Sequence, residues 1–141
     1  MTRTYVDAGV LIAAATMRDP VLYGPALAVL DDTSREHVSS SFLWLEVVPK
    51  ATYHRRPGEV AFYEAFFVGV SAWVDSYDEV LERAFTEASQ SGLAALDALH
   101  VAAAIQLGAE ELITTERLQK PIHRVTEIKI VSIHPSASHV S

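Results

Sequence analysis

The stretch Arg3-Thr4-Tyr5-Val6-Asp7-Ala8-Gly9-Val10-Leu11-Ile12-Ala13 joins a β-like run, a single acid and an apolar helix-like run. The β-like part, about Arg3 to Val6, ends at Asp7, and a short helix is expected over Val10 to Ala15. In open α/β sheets, ligands bind beyond the carboxyl ends of the strands, which is where Asp7 stands. The same residue also suits a helix N-cap, a position that favours Asp.

Outward from this unit the pattern repeats. Asp19-Pro20 predicts a helix start running to about Leu30, with Asp as N-cap and Pro in the first turn. His37 to Ser40 reads as a strand. Phe42 to Tyr53 reads as a helix that Pro49 is expected to kink or shorten. Pro57-Gly58 breaks the chain before a helix over about Glu59 to Phe67, and Ala72 to Asp75 is a third strand. Ser76-Tyr77-Asp78-Glu79 has the form of a capping box. Val80, Leu81, Ala84, Phe85 and Ala88 then follow at helical spacing. Gly92 separates this helix from the next, about Ala94 to Leu107, which Gly108 terminates. Leu112 to Thr114 and Ile128 to Ile133 are the fourth and fifth strands. Strands alternating with helices predict an α/β fold with a largely parallel sheet covered by helices. One domain over residues 1–134 with a flexible tail at 135–141 is the expected organisation.

The 141 residues suit one domain with one core. Half are hydrophobic and 21% are charged, an ordinary globular mix. The absence of cysteine excludes disulfide scaffolds, thiolate zinc sites and cysteine nucleophiles. The N-terminus has no signal-peptide pattern, because Asp7 interrupts its apolar run. No segment has the roughly 20 apolar residues that a membrane span needs. A cytoplasmic protein is expected. Acidic residues outnumber basic ones 18 to 11, a formal charge of −7, which argues against broad electrostatic coating of nucleic acid. Two local clusters have the opposite sign: Lys50, Arg55 and Arg56 around His54, and Arg117, Lys120, Arg124 and Lys129 near the C-terminus. Both are also readable as solvated surface charge.

Most of the acids read as surface. Asp75, Asp78, Glu79, Glu82 and Glu87 fall around one amphipathic helix and need no function. Four others are harder to dismiss. Asp7 ends a strand. Glu46 is the only charge in Phe42-Leu43-Trp44-Leu45-Glu46-Val47-Val48, costly among such neighbours unless paired, for instance with Lys50, or bound to a metal. Asp97 interrupts a helix that is apolar nearly all round and therefore buried; its position in the first turn also suits the helix dipole. Glu116 follows the run Leu112-Ile113-Thr114-Thr115, and an exposed turn would explain it equally. Two acids from strand ends and two from helices are what a cleft at the carboxyl edge of a parallel sheet requires. Clustered carboxylates repel unless cations intervene, and oxygen-only ligands select hard ions, Mg²⁺ or Mn²⁺. His100 shares a helix face with Asp97, as a packing or hydrogen-bonding residue or a support for the metal. His37, His54, His123, His134 and His139 show no zinc-type spacing.

Four segments in order resemble the PIN-domain family: Tyr5-Val6-Asp7-Ala8-Gly9-Val10-Leu11-Ile12, Phe42-Leu43-Trp44-Leu45-Glu46-Val47, Gly92 through Asp97 and His100 to Ala104, and Leu112-Ile113-Thr114-Thr115-Glu116. The third is the most specific. The resemblance implies a three-layer α/β/α sandwich on a mainly parallel sheet of four to five strands. It implies a metal-dependent ribonuclease, a homodimer and, as in many small members of the VapC toxin type, a partner antitoxin protein. No small-molecule cofactor and no membrane are implied. Asp7, Glu46, Asp97 and Glu116 would be the catalytic and metal-holding acids for Mg²⁺ or Mn²⁺, Thr114 or Thr115 would orient a water, and Arg55, Arg56 or Arg117 would contact RNA phosphates. The chain departs from the family where Ala8-Gly9 replace a common Ser or Thr, where Glu116 replaces Asp, and where Leu118 stands in place of an Asp that some members carry. A PIN fold serving only in protein or RNA binding is the alternative. A phosphoacceptor receiver domain would need paired acids after the first strand, and Asp7 is alone there.

Overall fold

Strand β1 (Thr2–Val6) occupies the middle of the sheet because its side chains can be buried on both faces. Successive strand residues point to opposite sides, and both Tyr5 and Val6 are fully buried. The computed structural model describes residues 1–139. β1 pairs in parallel with β2 (Arg35–Ser39) on one side and with β4 (Glu111–Thr114) on the other. The two-residue β3 (Ala72–Trp73) extends the sheet beyond β2, and β5 (Lys129–Ser132) extends it beyond β4. All pairings are parallel and the order is β3-β2-β1-β4-β5.

Helices cover both faces, as an all-parallel sheet requires. On one face Val6 and Ile113 pack with α1 (Ala8–Thr16), α2 (Pro20–Asp31), α3 (Ser41–Tyr53) and α4 (Pro57–Val68). On the other face Tyr5, Val38 and Leu112 pack with α5 (Tyr77–Ser91), α6 (Ala95–Gln106) and the 3₁₀ turn Pro121–Arg124. The three-layer α/β/α architecture matches the expectation. Helix α6 is alanine-rich from Ala102 to Ala104, all fully buried, which lets it lie close against the sheet.

Several local expectations need correction. Ser76 stands at the N-cap of α5 but makes no side-chain capping bond; its carbonyl instead accepts from Gln106 Nε2 at 3.1 Å. Helix α3 continues through Pro49 to Tyr53, so Pro49 does not shorten it. In α5 only Val80 and Ala84 of the apolar stripe are buried, while Leu81 and Phe85 are exposed. Pro135–His139 is a 3₁₀ turn; Val140 and Ser141 lie outside the described residues.

Glu87 is the largest departure. It was expected on the surface, yet it is fully buried, with the carboxyl of Glu127 as its neighbour and no cation paired with it among the described residues. Burial, and then the neighbouring Glu127 carboxyl, push its pKa up, whereas that of Glu127 is lowered. An acid whose folded-state pKa is raised helps folding below its ordinary value and loses that contribution as pH rises through the folded value. Glu87→Gln, which needs no proton, is therefore expected to melt several degrees above the parent at pH 8. The difference should close by about pH 4, near the ordinary carboxylate range. Equal melting curves at both pH values would count against a buried, proton-dependent Glu87.

Candidate metal centre

The strand order reverses between β1 and β4, and this opens a crevice at their carboxyl ends. The chain leaves β1 into α1 on one face, and after β4 it supplies Ile122 and Val125 to the other face. Asp7 follows β1 directly. Its Oδ1 accepts from Val10 N at 3.2 Å as the N-cap of α1, and its Oδ2 accepts from Thr114 Oγ1 at 2.5 Å. Capping and cleft-lining are thus compatible roles for one side chain. Thr114 is fully buried, and its hydroxyl also accepts from Glu116 N at 3.1 Å. That bond turns the chain out of β4 so that Glu116 reaches the same crevice. The Glu116 carbonyl accepts from Ser132 Oγ at 2.6 Å and bonds His123 Nε2 at 3.1 Å. Glu46 comes from α3 and Asp97 from the first turn of α6. One cleft of about 110 Å³ is lined by Asp7, Gly9, Glu46, Asp97, His100, Thr115 and Glu116, so the four sequence-singled acids meet there.

The electrostatics of the cleft are those of crowded carboxylates. Burial raises Asp7 to about 6, against the opposing hydrogen bonds from Thr114 and Val10, with Glu116 adding repulsion. Asp97 is raised as well, by burial first and then by the charge of Glu116. Among the described residues, none of the four acids forms an ion pair with Lys or Arg. Lys50, the neighbour that would have neutralised Glu46, is not within ion-pair reach of it. The donors are all hard oxygens and carry excess negative charge, so they fit Mg²⁺ or Mn²⁺. As they stand, no three of these groups among the described residues already converge as a finished cage. Glu46 is drawn toward His100 and Asp7 toward Thr114.

Position 9 explains one departure from the family pattern. A Cβ there would meet Thr115 Oγ1 at 2.2 Å and Asp7 Oδ1 at 3.3 Å. The Thr115 hydroxyl fills the space beside Asp7 that a side chain at residue 9 would take.

Beyond Glu46 the cleft adjoins a cavity of about 90 Å³ lined by Arg18, Lys50, His54, Arg56, Glu59 and Tyr63. Glu59 is bridged by Arg18 at 3.2 Å and Arg56 at 3.7 Å. Of the three cationic residues singled out in the sequence, Arg56 lines this cavity. Arg55, at φ 55°, lines a separate hollow with Thr52, Val60 and Glu64. Arg117 is exposed in the turn after β4. Lys50, from the basic cluster around His54, also lines the cavity beside Glu46, as does Arg18, which lies outside both basic clusters. Lys50 lay within reach of inference, one helical turn beyond Glu46, but nothing in the sequence marks Arg18. His100 was left between packing and support; it is 3% exposed and hydrogen-bonded at both ring nitrogens.

A family model described as PIN domain matches residues 4–122. Solved structures share the fold at low identity. VapBC2 from Rickettsia felis, bound to a DNA fragment from its promoter, is 14% identical with a TM-score of 0.68, covering 93% of this chain and 98% of that one. DNA-bound VapBC from Salmonella typhimurium is 17% identical at 0.68, covering 94% and 98%. A toxin–antitoxin complex from Klebsiella pneumoniae is 20% identical at 0.63, covering 90% and 99%. No curated protein matches the sequence.

Two outcomes test this geometry. Because the Asp7 pKa is raised to about 6, its favourable contribution to folding is present below its ordinary value near 4 and lost as pH rises through 6. In EDTA, Asp7→Asn is expected to exceed the parent in unfolding free energy at pH 8 by up to roughly 3 kcal/mol and to match it near pH 4. An Asp7→Asn protein less stable than the parent at pH 8 would contradict the crowded-acid picture. Gly9→Ala is expected to cost about 1–3 kcal/mol by displacing Thr115. Adding Thr115→Ala should recover most of that loss, whereas additive costs in denaturant titrations would remove the contact from the argument.

Proposed function

The chain belongs to the PIN-domain family, and on that premise we propose that it is a ribonuclease that hydrolyses RNA phosphodiester bonds with Mg²⁺ or Mn²⁺. The supporting observation is a sorting of charge between the two ends of the sheet. At the amino end the carboxylates are paired: Arg3 with Glu36 at 3.3 Å, and Arg35 with Asp32 at 2.8 Å and Glu111 at 3.2 Å. At the carboxyl end Asp7, Glu46, Asp97 and Glu116 share one cleft with no Lys or Arg partner among the described residues. Unpaired, half-buried charge is costly, so it persists where a function needs it.

Asp7, Glu46, Asp97 and Glu116 would hold the ion, which when bound activates water and neutralises charge at the phosphate. The chain's own residues hold and orient. Thr114 donates to Asp7 and fixes its carboxylate. Thr115 brings its hydroxyl beside Asp7, where it can orient a water. Arg56, with Arg18 and Lys50, offers positive charge to the phosphates next to the one cleaved. We assign Arg55 and Arg117 to phosphates further along the strand. The likeness to a toxin–antitoxin complex supports an antitoxin protein as partner. The exposed Leu81 and Phe85 of α5 suit an apolar contact, and a homodimer acting in the cytoplasm completes the reading.

A second reading, a PIN fold that has lost catalysis and serves in protein or RNA binding, is favoured by one observation: no finished cage stands among the described residues. Cleavage of a mixed panel of labelled RNAs in Mg²⁺, Mn²⁺ or EDTA separates the two. The ribonuclease reading expects cleavage that needs the metal and is lost, by at least about 10³-fold, in Asp97→Asn. The melting temperature of Asp97→Asn in EDTA should stay at or above the parental value, since the Asp97 pKa is raised. An Asp97→Asn protein that cuts normally would sink the assignment of this cleft as the cutting site. Failure to cut any RNA, with no stabilisation by Mn²⁺, would favour the binding module.

A further inference from the structure

Beneath the acidic cleft runs a continuous buried hydrogen-bond chain. His100 Nε2 bonds Glu46 Oε1 in a very short contact, and His100 Nδ1 lies 2.7 Å from Tyr5 Oη. Tyr5 Oη is 2.7 Å from Ser40 Oγ. Tyr5 and Ser40 are fully buried and His100 nearly so. The direction of the chain follows from its ends. A carboxylate accepts only, so Nε2 carries the ring proton and donates to Glu46. Nδ1 of that tautomer must accept, so the Tyr5 hydroxyl donates to it. The one remaining donor for the Tyr5 oxygen is Ser40, whose hydroxyl makes no N-capping bond on α3 and is free for this use.

The chain joins three of the four elements that deliver acids. Tyr5 is in β1, two residues before Asp7; Ser40 begins α3, which carries Glu46; His100 is on α6, one turn after Asp97. We propose that His100 is a positioning residue: its imidazole, held in one tautomer by Tyr5 and Ser40, donates from Nε2 to one oxygen of Glu46 and so orients the other toward the ion of the cleft. This rests on the metal-binding reading above and adds a residue to it. Partners behind a metal ligand commonly govern affinity by 10–100-fold.

The amide nitrogen of Gln can stand near the Nε2 position, whereas Asn can only replace Nδ1. His100→Gln therefore keeps the donor to Glu46, and His100→Asn loses it while keeping a polar partner for Tyr5. The experiment is titration of the full chain with Mn²⁺, following the free-ion signal by electron paramagnetic resonance, with melting curves in EDTA for each protein. His100→Asn is expected to weaken Mn²⁺ binding at least tenfold and His100→Gln by less than about threefold. Tyr5→Phe, which removes the tautomer lock with little volume change, should lie between them and serves if a His100 variant fails to fold. Equal losses in the Gln and Asn variants, or Mn²⁺ binding by His100→Asn at parental strength, would overturn the proposal, as would a parent that binds no Mn²⁺. A parent that binds Mn²⁺ and cuts no RNA would overturn the nuclease reading alone, leaving His100 to be decided by the same titration.

Discussion

The architecture at the carboxyl edge depends on one constraint: β1 and β4 are hydrogen-bonded neighbours whose chains depart to opposite faces of the sheet. A parallel sheet must be covered on both sides, so most of its surface is closed to ligands. Where the strand order reverses, the coverings diverge and leave a gap. Asp7 and Glu116 are the residues that follow the two strands at that gap. Glu46 and Asp97 reach it from helices on the two covering layers, α3 on one face and α6 on the other. The site is therefore assembled by topology before any side-chain contact is made.

What those contacts add is registration between layers. Tyr5, Ser40 and His100 are polar groups in a core built mainly of Val, Leu, Ile and Ala. Each would be costly if left without a partner. Satisfied together, they fix β1, α3 and α6 against one another in a way apolar packing alone, which tolerates sliding, does not. Repulsion among the acids works against folding, and this network and the surrounding core offset it.

The sequence made the layers legible because the periodicities are strong: Tyr5 with Val6 and Leu112 with Ile113 mark strands buried on both faces, and Ala102 to Ala104 mark a helix pressed on the sheet. Glu46 and Asp97 stood out because each interrupts an apolar run, Asp7 and Glu116 because each follows a strand, and all four line one cleft. Other features left no such mark. Glu87 looked like one of several acids on a charged helix, since helical spacing alone does not say which of two adjacent stripes turns inward; Leu81 and Phe85 are exposed for the same reason. Arg18 joins the cavity beside Glu46 through the turn between α1 and α2, a placement set by tertiary packing. The role of Gly9 depends on Thr115, more than a hundred residues away, and a close approach of that kind is not visible in a linear chain.

The four acids are not equally restrained. Asp7 is held through both oxygens, Glu46 through His100, and Asp97 by the rigid first turn of a buried helix. Glu116 differs: its backbone is anchored by Ser132, His123 and Thr114, while its longer carboxylate arm is restrained by no hydrogen bond among the described residues. A cleft with three braced walls and one adjustable arm responds to ionic radius in a particular way. Mg²⁺ demands a compact octahedron at about 2.1 Å, and Ca²⁺ takes longer, looser bonds near 2.4 Å. If the cleft holds an ion as proposed, accommodation of that difference would fall to Glu116, and the reach of the glutamate that departs from the family's usual aspartate would set how strictly the cleft discriminates between small and large divalent ions.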